Sequence, residues 1–307
     1  MKLLTTSVVR GSQQGQSHGG VYLVDLAAQA VTRTLDWNRA DIDWQGRGWD
    51  RGLRGIAFDG DKIYIAASDE LFAFSPDFRR IASWRNPYLR HCHEIAVHER
   101  TLFLTSTGFD SILGFDLDRQ RFHWALHVEE KDYRFGGQVY DPATDKGPLM
   151  LNKLHLNNVW CDANGMYLTG LRTGGMLHFN GRTILMSAEL PAGTHNARPY
   201  REGVLFNDTA ANALRYSGRN TDAEDRVMAV PEYPESALEN TGLDQSGVAR
   251  PSFARGLCAL TGSLVAGGSS PSTVSVYDLA ANKRLASVNL TMDVRNAIHG
   301  LAVWPYG

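Results

Sequence analysis

Four of the ten histidines and two arginines recur in one local context: a His or Arg, a small or polar residue, then a β-prone apolar run. The copies read Arg54-Gly-Ile-Ala-Phe, His93-Glu-Ile-Ala-Val, His155-Leu-Asn-Asn-Val-Trp, His195-Asn-Ala-Arg-Pro-Tyr, Arg255-Gly-Leu-Cys-Ala-Leu and His299-Gly-Leu-Ala-Val-Trp. Neutral imidazole is the commonest side-chain ligand for transition metals, and three converging imidazoles with open coordination positions form a catalytic arrangement. The pattern therefore points to a transition metal ion, Fe, Zn, Cu or Mn, on His93, His155 and His195, completed by His299. Arg54 and Arg255 stay protonated and cannot be ligands. Their planar forks suit the carboxylate, sulfate or phosphate of a small anionic substrate.

Other residues near these anchors carry possible roles. Glu94 is a candidate base or orienting group for His93, and His299 between two arginines is a candidate general base. Asn157, Asn196 and Arg198 follow the histidines closely and are candidate substrate-binding residues, although strand-end capping explains asparagines at such places equally well. A metal-free reading stays open, in which a His flanked by Arg serves as base or nucleophile for a transferred anionic group. Bacterial arylsulfotransferase propellers are similar in carrying His and Arg in a channel, but no local motif matches theirs. A third possibility is a non-catalytic interaction propeller, since fold does not imply function.

The elements that must position these residues follow from their spacing. Successive anchors lie 39, 62, 40, 60 and 44 residues apart, which fits a four-stranded propeller blade of about 40–45 residues with extra material after alternate blades. Between anchors the chain reads strand, turn, strand, with period-2 alternation and Gly, Asp or Asn punctuation. The predicted architecture is all-β, a single-domain six-bladed β-propeller. Blades are expected over 54–85, 93–127, 155–189, 195–219 and 255–290, and a sixth from 299–307 plus 1–37, so that N-terminal strands complete the C-terminal blade and remove free sheet edges. The segments 38–53, 128–154 and 220–254 are read as inserts, rich in Trp, Tyr, Arg and Asp (Trp44, Trp49, Asp50, Arg51, Tyr133, Arg134, Tyr140, Tyr233), forming a lid.

Composition narrows the function classes. With 43% hydrophobic and 21% charged residues the chain is an ordinary globular one, and a formal charge of −2 gives no footprint for nucleic acid or an anionic membrane. No apolar stretch approaches the ~20 residues of a membrane helix, and the N-terminal run is too polar for a signal peptide. Three widely separated cysteines, Cys92, Cys161 and Cys258, indicate a reducing compartment and a cytoplasmic location. Nothing in the pattern specifies an oligomeric state. His91-Cys-His-Glu-Ile-Ala-Val-His98 has the wrong His spacing for the zincin helix motif, and Cys92 reads as a small packing residue. Trp37, Trp84, Trp124 and Trp160 recur where blades would pack. There is no nucleophile elbow, Walker loop, dinucleotide fingerprint or EF-hand loop.

A family resemblance rests on His93-Glu-Ile-Ala with Thr105-Ser-Thr-Gly-Phe-Asp-Ser-Ile-Leu, His155-Leu-Asn-Asn, Thr194-His-Asn-Ala-Arg198, and Phe253-Ala-Arg-Gly-Leu with Gly267-Gly-Ser-Ser-Pro271. Through these the chain resembles a bacterial six-bladed propeller family of unknown function. The resemblance implies a propeller with these His and Arg positions at its centre and no particular reaction. More distantly the chain looks like the gluconolactonase and strictosidine-synthase propellers, whose calcium-type carboxylate and Asn ligands have no match at the anchors. A calcium-dependent lactonase is disfavoured on that ground. The expectation is a metal-dependent lyase, hydrolase or oxygenase acting on a small anionic molecule.

Overall fold

The computed structural model describes residues 1–38, 52–218, 225–243 and 250–307. Of the expected lid, Trp44, Trp49, Asp50 and Arg51 lie outside these residues. The strands, in chain order, are β1 (Lys2–Val9), β2 (Gly19–Asp25) and β3 (Ala30–Asp36); β4 (Ile56–Asp59), β5 (Lys62–Ala67), β6 (Glu70–Phe74) and β7 (Arg80–Arg85); β8 (Ile95–His98), β9 (Thr101–Ser106), β10 (Ser111–Asp116), β11 (Arg121–Lys131) and β12 (Arg134–Tyr140). There follow β13 (Leu156–Asp162), β14 (Gly165–Gly170), β15 (Gly175–Phe179) and β16 (Ile184–Glu189); β17 (Thr194–Tyr200), β18 (Gly203–Asp208), β19 (Ala213–Gly218) and β20 (Arg226–Ala229); and β21 (Arg255–Ala259), β22 (Leu264–Ser269), β23 (Thr273–Asp278), β24 (Lys283–Asn289) and β25 (Asn296–Val303).

These strands form six antiparallel sheets, and the chain is an all-β, six-bladed β-propeller. The blade built from both termini is the sheet β25-β1-β2-β3, in which Leu3 to Val9 pair with Val303 back to Asn296. The C-terminal strand thus enters the sheet ahead of the N-terminal one, as the spacing predicts. Among the described residues no helix is long and apolar enough to cross a membrane.

Two expected boundaries are corrected. Residues 128–140 are not loop: β11 runs on to Lys131 and turns into β12, a fifth strand on its blade, with Lys131 opposite Arg134. The physical reason is the two-residue turn Asp132-Tyr133, both at positive φ (51° and 60°), the primed geometry whose twist matches a hairpin. Tyr133 is accordingly a fully exposed turn residue. The blade beginning at β17 likewise extends past 219, because β20 pairs with β19 as its fourth strand. Tyr140 is buried and the Tyr233 hydroxyl bonds that of Thr273 at 3.0 Å, so both pack against blades.

By its internal contacts the chain divides into two compact units, Met1–Arg54 with Asn207–Ser217 and Asp222–Gly307, and Gly55–Phe206 with Gly218–Thr221. In the second unit, the middle strands of each blade are buried on both faces, as in KIYIAA of β5, whereas the outer β7 (RIASWR) alternates toward solvent. Blade packs on blade through aliphatic and aromatic side chains. Trp84 of β7 meets Phe115 at a centroid distance of 4.8 Å, and Leu126, Leu156, Leu168 and Leu177 share another cluster. Trp84 is half-buried, whereas Phe115 and the four leucines are fully buried and contribute about 1.5–3 kcal/mol each. In the first unit Leu3, Val24, Val274 and Ile298 form the equivalent layer.

Candidate functional site

In the second unit, His93 sits two residues ahead of β8, buried, with its backbone N–H donating to the Thr105 hydroxyl at 2.9 Å. Its Nδ1 lies 2.7 Å from the His91 carbonyl and 2.9 Å from Thr107 Oγ1. A carbonyl cannot donate, so Nδ1 carries the proton, and in the neutral ring the lone pair is on Nε2. The Thr107 hydroxyl is itself directed at the Leu156 carbonyl. One side chain therefore joins the His93 imidazole to the start of β13.

His155 immediately precedes β13 at φ 56°, a left-handed conformation that strains a residue carrying a Cβ. The strain is held by Asp110, which closes the short 3₁₀ turn Thr107–Phe109 and is buried. Its carboxylate accepts the backbone N–H groups of Lys153, Leu154 and His155 at 2.5, 3.1 and 2.8 Å. Gly170 makes room behind: a Cβ there would stand 2.8 Å from the His155 carbonyl oxygen. His155 Nδ1 meets Asn152 Oδ1 at 3.0 Å, and its ring lies edge-to-face against that of His93, centroids 5.5 Å apart.

His195 is the second residue of β17, buried, with Nδ1 at 2.9 Å from the Gly193 carbonyl. All three imidazoles thus point Nδ1–H at a protein oxygen and keep Nε2 as the basic atom. Asn157 sits at a bulge of β13, where Leu156 pairs with Gly170 and Asn158 with Thr169. Bulges re-aim side chains and recur beside active sites. The Asn157 amide donates to the Thr194 carbonyl at 3.2 Å, and its buried Oδ1 receives no hydrogen bond among the described residues. Asn158 spends its amide on the Ala197 carbonyl, a structural role. Glu94 accepts from the Asn196 amide at 2.7 Å, joining two candidate residues directly. Arg198 lies over the Trp160 ring at 5.1 Å, a packing contact.

The first unit holds the other anchors. Arg54 is buried two residues ahead of β4, Arg255 opens β21, and His299 is the fourth residue of β25 rather than its first. His299 and Gly300 face the single Thr6 at a second bulge, since Thr5 pairs with Leu301 and Ser7 with Ile298. The Thr6 hydroxyl accepts the Gly300 N–H at 2.8 Å and donates to the Arg54 carbonyl. A third bulge lies at Gly256, next to Arg255, whose guanidinium stands 4.7 Å over the Phe253 ring.

The imidazoles meet as a pair and not as a triad: among the described residues no group of three or more His, Cys, Asp or Glu side chains is arranged to hold a metal ion. Thr107, Asp110 and Thr6 were absent from the residues the sequence singled out for chemistry. Their signal was present for the first two in Thr-Gly-Phe-Asp, an Asp closing a glycine-containing turn after an apolar strand.

No family model matches the chain, and the curated proteins contain no match to it. Among solved structures the chain is similar to one from a nidogen/laminin complex (13% identity, 98% of each chain, TM-score 0.59). It is also similar to a protein of unknown function from Bacteroides caccae (10% identity, 98% of this chain and 97% of that one, TM-score 0.58). At these identities the likeness is one of fold alone. Neither the bacterial family of the sequence resemblance nor the gluconolactonase type is shown for this chain.

Proposed function

We propose that the chain is a metal-dependent enzyme acting on a small anionic molecule, with Nε2 of His93 and of His155 as the protein's donors to a transition metal ion, Fe, Zn, Cu or Mn. The observation that carries this reading is the shared wiring of the imidazoles, each with Nδ1–H committed to an oxygen. Ligating histidines are held in this way, because the outer hydrogen bond fixes the tautomer, orients the ring and raises the basicity of the other nitrogen. The edge-to-face contact of His93 and His155 supports them as the donor pair.

Water and substrate would fill the remaining positions, the open coordination that lets an ion polarise a carbonyl or activate water. The Asn157 amide oxygen, buried and without a hydrogen bond among the described residues, is the proposed contact to a substrate donor group. Glu94, hydrogen-bonded to Asn196, is the proposed proton acceptor. His195 belongs to the same reading as a neighbouring base. For the first unit, the proposed roles are anion binding for Arg54 and Arg255 and proton transfer for His299. Hydrolysis, elimination and oxygenation all use such a donor pair, and the identity of the metal selects among them.

Metal analysis of untagged protein tests this. About one equivalent of a transition metal, or saturable binding of one added ion by calorimetry, is expected in the parent chain and in His178→Ala, and its loss in His93→Ala and His155→Ala. Absence of saturable binding, or binding indifferent to both substitutions, would overturn the reading in favour of metal-free chemistry or an interaction module.

A further inference from the structure

We propose that the cleft between the blade of β8–β12 and the blade of β13–β16, in the second unit, is a further binding site, for a small aromatic amine: a flat ring carrying a protonated amino group. The cleft holds a cavity of about 480 Å³. Small-molecule sites usually fall at about 300–1,000 Å³ and combine apolar and aromatic walls with a few placed polar groups. Phe103, Trp124, Met166 and Phe179 supply the walls. The three aromatic side chains are half-buried: they pack on the cluster of Leu126, Leu156, Leu168 and Leu177 and line the cavity with the surface left over.

The aromatic corner follows from a glycine. Phe103, Gly114 and Trp124 lie side by side on β9, β10 and β11, because Gly114 is paired with both of the others. Strands two apart in a sheet stand about 9.5 Å from each other, yet the Phe103 and Trp124 ring centroids are 5.8 Å apart, with their planes at 87°. The rings close over the gap where Gly114 has no side chain; a Cβ there would stand 3.3 Å from the Trp124 ring. Two rings at right angles receive a third by stacking on one and meeting the other edge to face, the arrangements aromatic pairs prefer.

The charge comes from the end of β13. Among the described residues the lining includes one carboxylate, Asp162, and no Lys or Arg side chain, while His98 and His123 complete its polar part. Asp162 Oδ1 accepts the Asn164 N–H at 2.7 Å across the Ala163-Asn164 turn, and His178 Nε2–H donates to the Asn164 carbonyl at 2.9 Å. His178 is in turn stacked on Tyr167, centroids 4.6 Å apart. The carboxylate is therefore held by its own turn and by β15 before any ligand arrives. A protonated amine gains twice there, from the carboxylate and from the aromatic faces, which attract cations.

An anion would be repelled, so this cleft does not repeat the site proposed at His93 and His155. Those histidines precede β8 and β13, whereas His98 and Asp162 end the same strands. The seven extended residues of β13 put the two places about 20 Å apart, and the two proposals stand or fall separately.

Calorimetric titration at pH 8 with tryptamine, indole and indole-3-acetate, which share a ring system and differ in charge, tests the site. Saturable 1:1 binding of tryptamine is expected, tighter than that of indole by about fivefold or more, with indole-3-acetate the weakest of the three. Asp162→Asn keeps the oxygen that accepts the Asn164 N–H and should bring tryptamine down to the affinity of indole. Trp124→Leu should weaken both ligands by about fivefold or more. Thermal melting checks that each variant is folded. Tryptamine should bind His155→Ala as it binds the parent chain, whatever that substitution does to metal binding. No saturable binding of tryptamine, indole-3-acetate bound as tightly as tryptamine, or tryptamine affinity unchanged in both cleft variants would overturn the proposal.

Discussion

The Asp110 carboxylate receives the backbone N–H of His155 at 2.8 Å, and with it the N–H groups of the two residues before it. A buried acceptor of this kind fixes a strained backbone by hydrogen bonds rather than by packing. Asp110→Ala leaves three N–H groups without their acceptor. A loss of about 3–5 kcal/mol is expected from urea unfolding, with Asp110→Asn costing about half as much because one oxygen still accepts.

Thr107→Val keeps the shape of the side chain and removes both hydrogen bonds of its hydroxyl. The expected cost is about 1–3 kcal/mol. His91 still offers its carbonyl to Nδ1, so nitrogen NMR should find His93 protonated at Nδ1 in the variant as in the parent. A switch to the other tautomer would show that Thr107, not His91, sets the wiring.

At His155 the backbone is left-handed, which favours glycine. His155→Gly and His155→Ala both delete the imidazole, but only the second retains a Cβ in that conformation. The glycine variant should be more stable than the alanine variant by about 1 kcal/mol in chemical unfolding. Equal stabilities would mean that the turn relaxes without cost.

Burial raises the phenol pKa of Tyr64, Tyr140 and Tyr277, that of Tyr140 to about 12. In the unfolded chain these groups titrate near 10. The native state therefore holds protons that the unfolded state gives up, so stability is intact below about pH 10 and falls as pH rises from 10 to 12. Urea midpoints measured from pH 9 to 12 should decline over that window, and Tyr140→Phe should lessen the decline.

The Cys161 thiol is pushed up to about 12 by burial, with the Asp162 charge adding to it. Only the thiolate reacts, so at pH 8 a disulfide reagent should modify Cys161 slowly in the native protein and fast after denaturation. Cys161 is half-buried near the end of β13, and rapid native labelling would show that its thiol is not held up by its surroundings.

The fold was legible because a blade is a local device: alternation, turn residues and a repeat of about 40 residues are properties of short stretches of chain. The same locality made β25 readable as the first strand of a blade otherwise built from the N-terminus. What escaped was set by pairing. The Asp132-Tyr133 turn lacks glycine, so β12 looked like loop until its partner β11 was seen, and β20 is four residues whose strand character comes from β19.

The candidate site divides in the same way. Residue type and spacing singled out His93, His155, His195, Arg54, Arg255 and His299, because chemistry depends on which groups exist. Which of them meet depends on bulges at Asn157, Gly256 and His299 and on distant acceptors such as Asp110, 45 residues from the backbone it holds. Sequence alone determined the propeller and its set of candidate side chains. Only the tertiary structure decided the pairing of His93 with His155 and the hold of Asp110 on the residues before β13, because each is a contact between segments whose separation along the chain carries no local signal, whereas the Nδ1–H wiring is local, each histidine reaching an oxygen two or three residues away.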